Sequence, residues 1–287
     1  MKNIFRNIAV MKYFFVFWFF LTVLPFTALH AQSKAVLKVD KLLLKGDTSK
    51  ALKKLNHFID KTPSQADLYL KRAKLKIQKG DLEPAMVDLN SFCSLNMVCG
   101  EADLWKGVVR FKQGDYNGAI SYLSVYTNKR EDADAWFYLA QSHMWLQNYP
   151  VAINAFQRSI NLRPNEVSAI YNAGLCAYYL SRYADADSLM QTAERLAPKD
   201  LDIRLARGLS LLRGGKHVES NEVFRSIAEG DHQFPAALYN IGVNYYNLNE
   251  FELACEYWSR AMEKGHLQAE SSKKRYCGKK TQTDRYR

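Results

Sequence analysis

Small and bulky apolar residues recur along this chain with a period of 34. The series Trp136, Leu139, Ala140, Tyr149, Ala152, Phe156, Ser159, Pro164 returns as Ile170, Ala173, Gly174, Tyr183, Ala186, Met190, Ala193, Pro198, each position advanced by 34. A small residue opens the second half of each period, at Ala51, Ala85, Ala119, Ala152, Ala186, Ser220 and Ala254, with steps of 34 or 33. Polar turns fall on the same lattice: Gly46-Asp47, Gly80-Asp81, Gly114-Asp115, Gln147-Asn148, Ser181-Arg182, Gly214-Gly215 and Asn249-Glu250. Gly and Asn accept the left-handed backbone that ends one helix, and Asp can cap the next. Between turns the apolar spacing predicts two amphipathic helices per period, each of about 12–14 residues. Small residues at the eighth position (Ala73, Gly107, Ala140, Gly174, Gly208, Gly242) let the helices of a pair approach. Bulky ones at the twenty-fourth (Leu55, Leu89, Leu123, Phe156, Met190, Phe224, Trp258) fill the gap between pairs. Pro63, Pro164 and Pro198 stop second helices. A period of this length specifies stacked helix pairs, not a closed globule with one active site.

The pattern resembles the tetratricopeptide repeat across residues 32–268. The resemblance implies an all-α, right-handed superhelical solenoid of about seven helix pairs, at 32–65, 66–99, 100–132, 133–166, 167–200, 201–234 and 235–268. It is strongest in the fourth, fifth and seventh units. It departs in the first, where Lys38-Val39 replaces the usual Leu-Gly, and in the sixth, where His217 and Ser220 replace an aromatic residue and Ala. Beyond Gly265, the series Leu267, Ala269, Ser272, Tyr276 predicts a capping helix over 269–277, and residues 278–287 read as a disordered basic tail.

In this family the first helix of each pair lines a concave groove through its second, fifth, sixth, ninth, twelfth and thirteenth positions. Carried over, that rule expects a peptide-binding groove at Phe137, Gln141, Trp145, Tyr171, Asn172, Tyr178, Tyr179, Tyr239, Asn240 and Tyr246. Aromatic rings give contact area at low entropy cost, and amides can pair with both the N–H and C=O of an extended peptide. Asn172 and Asn240 occupy the sixth position, where peptide-binding members hold the ligand backbone; Ala206 interrupts that ladder. The alternative for each residue alone is packing within the solenoid. A carboxylate clamp is not expected, because Lys71 and Lys74 are followed by Trp105 and Val108 rather than Asn. The basic helix Lys71-Arg72-Lys74-Lys76-Lys79 reads as a solvated face, with an acidic partner or anionic lipid headgroups as its candidate target.

Charge and targeting refine this picture. Of the net charge of +11, the N-terminal segment contributes +3 and the stretch from Lys273 contributes +6. Residues 32–90 carry 13 basic and 7 acidic side chains, which leaves residues 91–272 near −4. That polarity argues against a nucleic-acid stripe along the whole array. Residues 1–31 read as a signal peptide: Lys2, Arg6 and Lys12, then an apolar run from Tyr13 to Leu24, then Ala28-Leu29-His30-Ala31 before Gln32. The expectation is export to the periplasm with cleavage after Ala31, the alternative an uncleaved inner-membrane anchor. No Asn-x-Ser/Thr sequon occurs, in keeping with a bacterial periplasmic protein.

Export permits disulfides. Cys93 with Cys99, and Cys255 with Cys277 if a terminal helix folds back, are the candidate pairs; Cys176 on an apolar face reads as a buried thiol. No Cys-x-x-Cys is present, and the six His are scattered without metal-ligand spacing. No phosphate loop or catalytic constellation appears. The expectation is a non-enzymatic interaction scaffold of the cell envelope, without cofactor or metal, holding a protein or peptide partner in its groove. The alternative is attachment to anionic lipid or a polyanion through the basic C-terminal tail. Oligomeric state is not encoded in these patterns.

Overall fold

The computed structural model describes residues 36–96, 98–229 and 234–277. The expected signal peptide and basic tail lie outside these residues. Fifteen helices and no strand are present among the described residues. The chain divides into two compact units between Asp115 and Tyr116.

The first unit holds α1 (36–44), α2 (Thr48–Lys61), α3 (Ala66–Lys79), α4 (Leu82–Leu95) and α5 (Glu101–Lys112). Neighbours from α2 to α5 pack in chain order. Val39 of α1 joins Ala51, Leu55 and Ile59 of α2 and Leu68 and Leu75 of α3 in one buried cluster. The second unit holds α6 (Tyr116–Thr127), α7 (Ala133–Trp145), α8 (Tyr149–Leu162), α9 (Val167–Tyr179), α10 (Tyr183–Leu196), α11 (Leu201–Arg213), α12 (His217–Ala228), α13 (Pro235–Asn247), α14 (Phe251–Glu263) and α15 (Leu267–Tyr276). Here too each helix packs on the next. Both units are all-α solenoid, built of successive helix pairs.

The turns explain why the helices stop where they do. At each one, the N–H two or three residues past the helix bonds to a carbonyl five residues back: Asp81 to Lys76, Asn148 to His143, Arg182 to Ala177, Glu250 to Tyr245. This closure needs a left-handed residue between. Gly80 supplies it at φ +86 without strain, whereas Gln147, Ser181 and Asn249 adopt it at φ 58, 58 and 62. Asp47, Asp132 and Asp200 then accept N–H groups of the first turn of α2, α7 and α11.

Packing follows the lattice. The seven bulky residues of the twenty-fourth position are all at most 2% exposed. The glycines opposite them sit close against these fillers: a Cβ on Gly208 would meet the Phe224 ring at 2.6 Å and on Gly242 the Trp258 indole at 2.5 Å, while on Gly174 it would meet the flexible Met190 methyl at 2.9 Å.

The sixth period departs from the pattern for a reason. Buried Asn244 of α13 donates to Ser220 Oγ (2.8 Å) and Asn221 Oδ1 (2.9 Å), and its Oδ1 faces His217 Nδ1 at 3.0 Å. Ser220 in turn donates to the Gly208 carbonyl. Where neighbouring joints bury apolar side chains, this one buries a satisfied polar network.

The capping helix begins at Leu267, after Gly265 (φ +88) ends α14 and the His266 N–H closes the turn onto Ala261.

Candidate functional site

Within the second unit the first helices of successive pairs meet directly: α7 with α9, α9 with α11, α11 with α13. The second helices pack chiefly against first helices. The first helices therefore form one continuous layer, and its outward side chains are the candidate site.

That layer has an open part and a closed part. On α7, Trp145 is 62% exposed and its ring stacks parallel on Tyr116, with centroids 5.7 Å apart. One period later, Tyr179 of α9 is 57% exposed and stacks on Tyr149 at 5.1 Å. Tyr178 meets Tyr179 and Tyr183 edge-on at 5.9 and 5.6 Å. Gln141 and Asn172 are half-buried, and their amides make no hydrogen bond among the described residues. Tyr171 lies partly against the cluster of Ile170, Ala193 and Ile203. Burial, with Asp202 and Asp200 nearby, raises its hydroxyl pKa, so it stays a protonated donor and acceptor. Phe137 is more committed, edge-on to Phe156 at 5.9 Å.

The expected residues of α13 are occupied by the protein itself. Tyr239 stacks on His266 at 4.4 Å, and its hydroxyl is 3.4 Å from Ser272 Oγ of α15. Tyr246 sits among Phe251, Trp258 and Tyr276, the last at 4.6 Å. Asn240 donates to the Ala236 carbonyl one turn back (2.9 Å). The structure thus separates Gln141, Trp145, Tyr171, Asn172, Tyr178 and Tyr179, which remain accessible, from Tyr239, Asn240 and Tyr246, which α15 or their own helix engages. Sequence reasoning missed Tyr116 and Tyr149, the rings that back the two exposed aromatics. Their signal was present, since both open a second helix at the same lattice position.

In the first unit the basic helix α3 is largely neutralised from within. Arg72 grips buried Asp88 with two bonds of 2.9 and 2.7 Å, and Lys76 reaches the same carboxylate at 2.8 Å. Lys71 pairs with Asp40 at 2.7 Å. Lys74 pairs with Glu101 and lies 5.1 Å from the Trp105 ring, whose N–H also donates to Glu101. Of the five cations read as a solvated face, four are engaged by carboxylates of the same unit.

The sulfurs of Cys93 and Cys99, and of Cys255 and Cys277, are joined as disulfides, with Cα–Cα distances of 4.7 and 5.8 Å. The second ties α15 to α14. Cys176 is buried and free, and burial pushes its thiol up to about 12, so it is unreactive at neutral pH. Among the described residues no group of three or more His, Cys, Asp or Glu could hold a metal, and no helix is long and apolar enough to cross a membrane.

Comparison with known proteins agrees with this architecture. Residues 112–193 match the model described as anaphase-promoting complex, cyclosome, subunit 3. Residues 171–237 and 236–264 match two tetratricopeptide-repeat models. The BBSome complex member BBS4 of Bos taurus is 23% identical over 231 residues, 80% of this chain but 44% of that protein. The chain therefore spans less than half the length of this relative. A tetratricopeptide repeat protein from Parabacteroides merdae superposes with a TM-score of 0.55 at 16% identity, over 85% of this chain and 97% of the other. The C-terminal part of a repeat protein from Cytophaga hutchinsonii does so with 0.64 at 18%, over 82% and 97%. A 34-residue lattice, the turn closures that repeat on it, and these matches meet in one conclusion: the chain is a tetratricopeptide-repeat protein.

Proposed function

We propose that this protein is a non-enzymatic scaffold that holds an extended peptide segment of a partner protein along α7 and α9. The observation that carries the reading is the accessible set Gln141, Trp145, Tyr171, Asn172 and Tyr179: two half-buried amides without partners, flanked by exposed rings rigidified by stacking. Such rings bind at low entropic cost, and a free amide can pair with both sides of a peptide backbone. The matched relatives named as subunits of multi-protein complexes support an assembly role. Export to the periplasm rests on the pattern of residues 1–31.

The test places a photo-crosslinking residue at Asn172 and, as a control, at exposed Gln157 on the second helix α8, in cells that make the full chain. A partner captured from position 172 and not from 157, and lost in the triple variant Trp145→Ala/Tyr171→Ala/Asn172→Ala, supports the groove. With each truncation costing roughly tenfold, the triple variant should bind at least about a hundredfold more weakly. Equal capture from both positions, or undiminished capture by the triple variant, refutes it. The N-terminal residue of the mature chain, read by mass spectrometry, tests export: Gln32 supports cleavage and an intact Met1 refutes it.

A further inference from the structure

The first helix pair holds a basic cleft that the peptide groove leaves unused. Lys38 and Leu42 of α1 face Lys50, Lys53, Lys54 and His57 of α2 across a cleft of about 610 Å³. Residues 36–61 contain seven Lys against three Asp. Of those carboxylates, Asp40 is committed to Lys71 of α3 and Asp47 to Lys50. Lys38 and Lys53 have no ion pair among the described residues, and the Lys54 ammonium only approaches the Phe58 ring at 5.8 Å. Cations gathered this way repel one another, and an anion in the cleft relieves that repulsion.

Its surroundings point to the source of the anion. Leu37 and Leu44 are seven residues apart, on one face of α1, and are 55% and 88% exposed. They flank a helix whose other exposed positions are Lys38 and Lys41, with exposed Lys45 just past its end. Unpartnered leucines beside lysines form the signature of a helix that lies on a bilayer, with apolar side chains dipping between headgroups and ammonium groups at the phosphates. Four of the five cations of α3 are paired within the unit and are not available for this role.

The geometry points to this end of the first unit as a docking surface for an anionic membrane, with lipid phosphates seated in the Lys38–Lys53–Lys54 cleft. The test uses the full chain and vesicles of neutral phosphatidylcholine with or without phosphatidylglycerol. Its readout is the ratio of anionic to neutral partitioning, which cancels any contribution from the apolar segment Tyr13–Leu24 where the full chain retains it. The variant Lys38→Glu/Lys53→Glu/Lys54→Glu is compared with Lys129→Glu/Lys199→Glu/Lys264→Glu, which changes net charge equally at exposed sites elsewhere. At about fivefold per lysine, the cleft variant should lose on the order of a hundredfold in that ratio. The control should stay within about threefold, and both should melt like the parent. Equal losses in the two variants, retention by the cleft variant, or no anionic preference in the parent overturns the proposal. So does inorganic phosphate that displaces the parent from vesicles at millimolar level and constant ionic strength, because the cleft is then a site for a free anion.

Discussion

The first helices of the two units present contrasting faces. On α3, the cations at lining positions end on carboxylates of their own unit, Lys71 on Asp40 and Lys74 on Glu101, and the neighbouring Arg72 and Lys76 close on Asp88. On α7 and α9 the equivalent layer carries Trp145, Tyr179, Gln141 and Asn172, whose rings and amides remain exposed or unpaired. A charged face thus proves self-satisfied, and a nearly uncharged one remains available. Availability for a partner depends on what each side chain already holds, not on how polar it is.

The largest test of this contrast is Asp88→Asn. Removing a buried carboxylate leaves Arg72 and Lys76 without their counter-ion, and the first unit should lose about 3–5 kcal/mol, read by denaturant melts with hydrogen exchange mapped to α2–α5. Crosslinking from Asn172 in the native state should be unchanged. A loss below about 1 kcal/mol would show that α3 is not closed in the way described.

Next comes Cys277→Ser, which frees α15 from α14. Closing a loop of 22 residues contributes roughly 3 kcal/mol, so amide protection over Leu267–Tyr276 should fall by on the order of a hundredfold. Tyr239 and Tyr246 should then become accessible to solvent quenchers and lengthen the open part of the layer. Unaltered protection would mean that Ala269 and the Tyr276 contacts with Tyr246 and Trp258 hold the cap unaided.

The smallest effect is expected from Lys74→Ala. Lys74 and Glu101 are both about one-third or more exposed, so solvent screens the pair and thermal melting should report a loss below about 1 kcal/mol. A loss above 2 kcal/mol would identify the stacked Lys74, Trp105 and Glu101 as a structural joint.

The helices were legible because their punctuation is local. Gly80, Gln147, Ser181 and Asn249 all fall where the turn lattice required a left-handed residue. The bulky series from Leu55 to Trp258 was equally legible, since the period that defines the pairs also defines what fills them. The occupancy of the lining face was not. Tyr171 and Tyr239 hold equivalent positions two 34-residue steps apart, yet only Tyr239 is covered, by the ring of His266 at the cap of α15 and a hydroxyl of that helix. That difference comes from partners 27 and 33 residues away, and a period read along one helix contains no information about them. The same distance effect hid the Asn244 network. His217 and Ser220 looked like weak matches to the pattern, but they are the partners of an Asn more than 20 residues downstream.

The missing side chains of Gly174, Gly208 and Gly242 bear on how such a chain can evolve. Each glycine is matched to one ring or thioether in the helix that follows it, and the fillers grow from Met190 through Phe224 to Trp258. Period four instead sets Ala140 beside Phe156. A whole helix pair can therefore be duplicated or transplanted with its fit intact, whereas exchanging single helices would drive the Ala140 methyl into the indole of Trp258. Recombination should respect that boundary. The heritable module of this protein is the pair, and its two halves must change together.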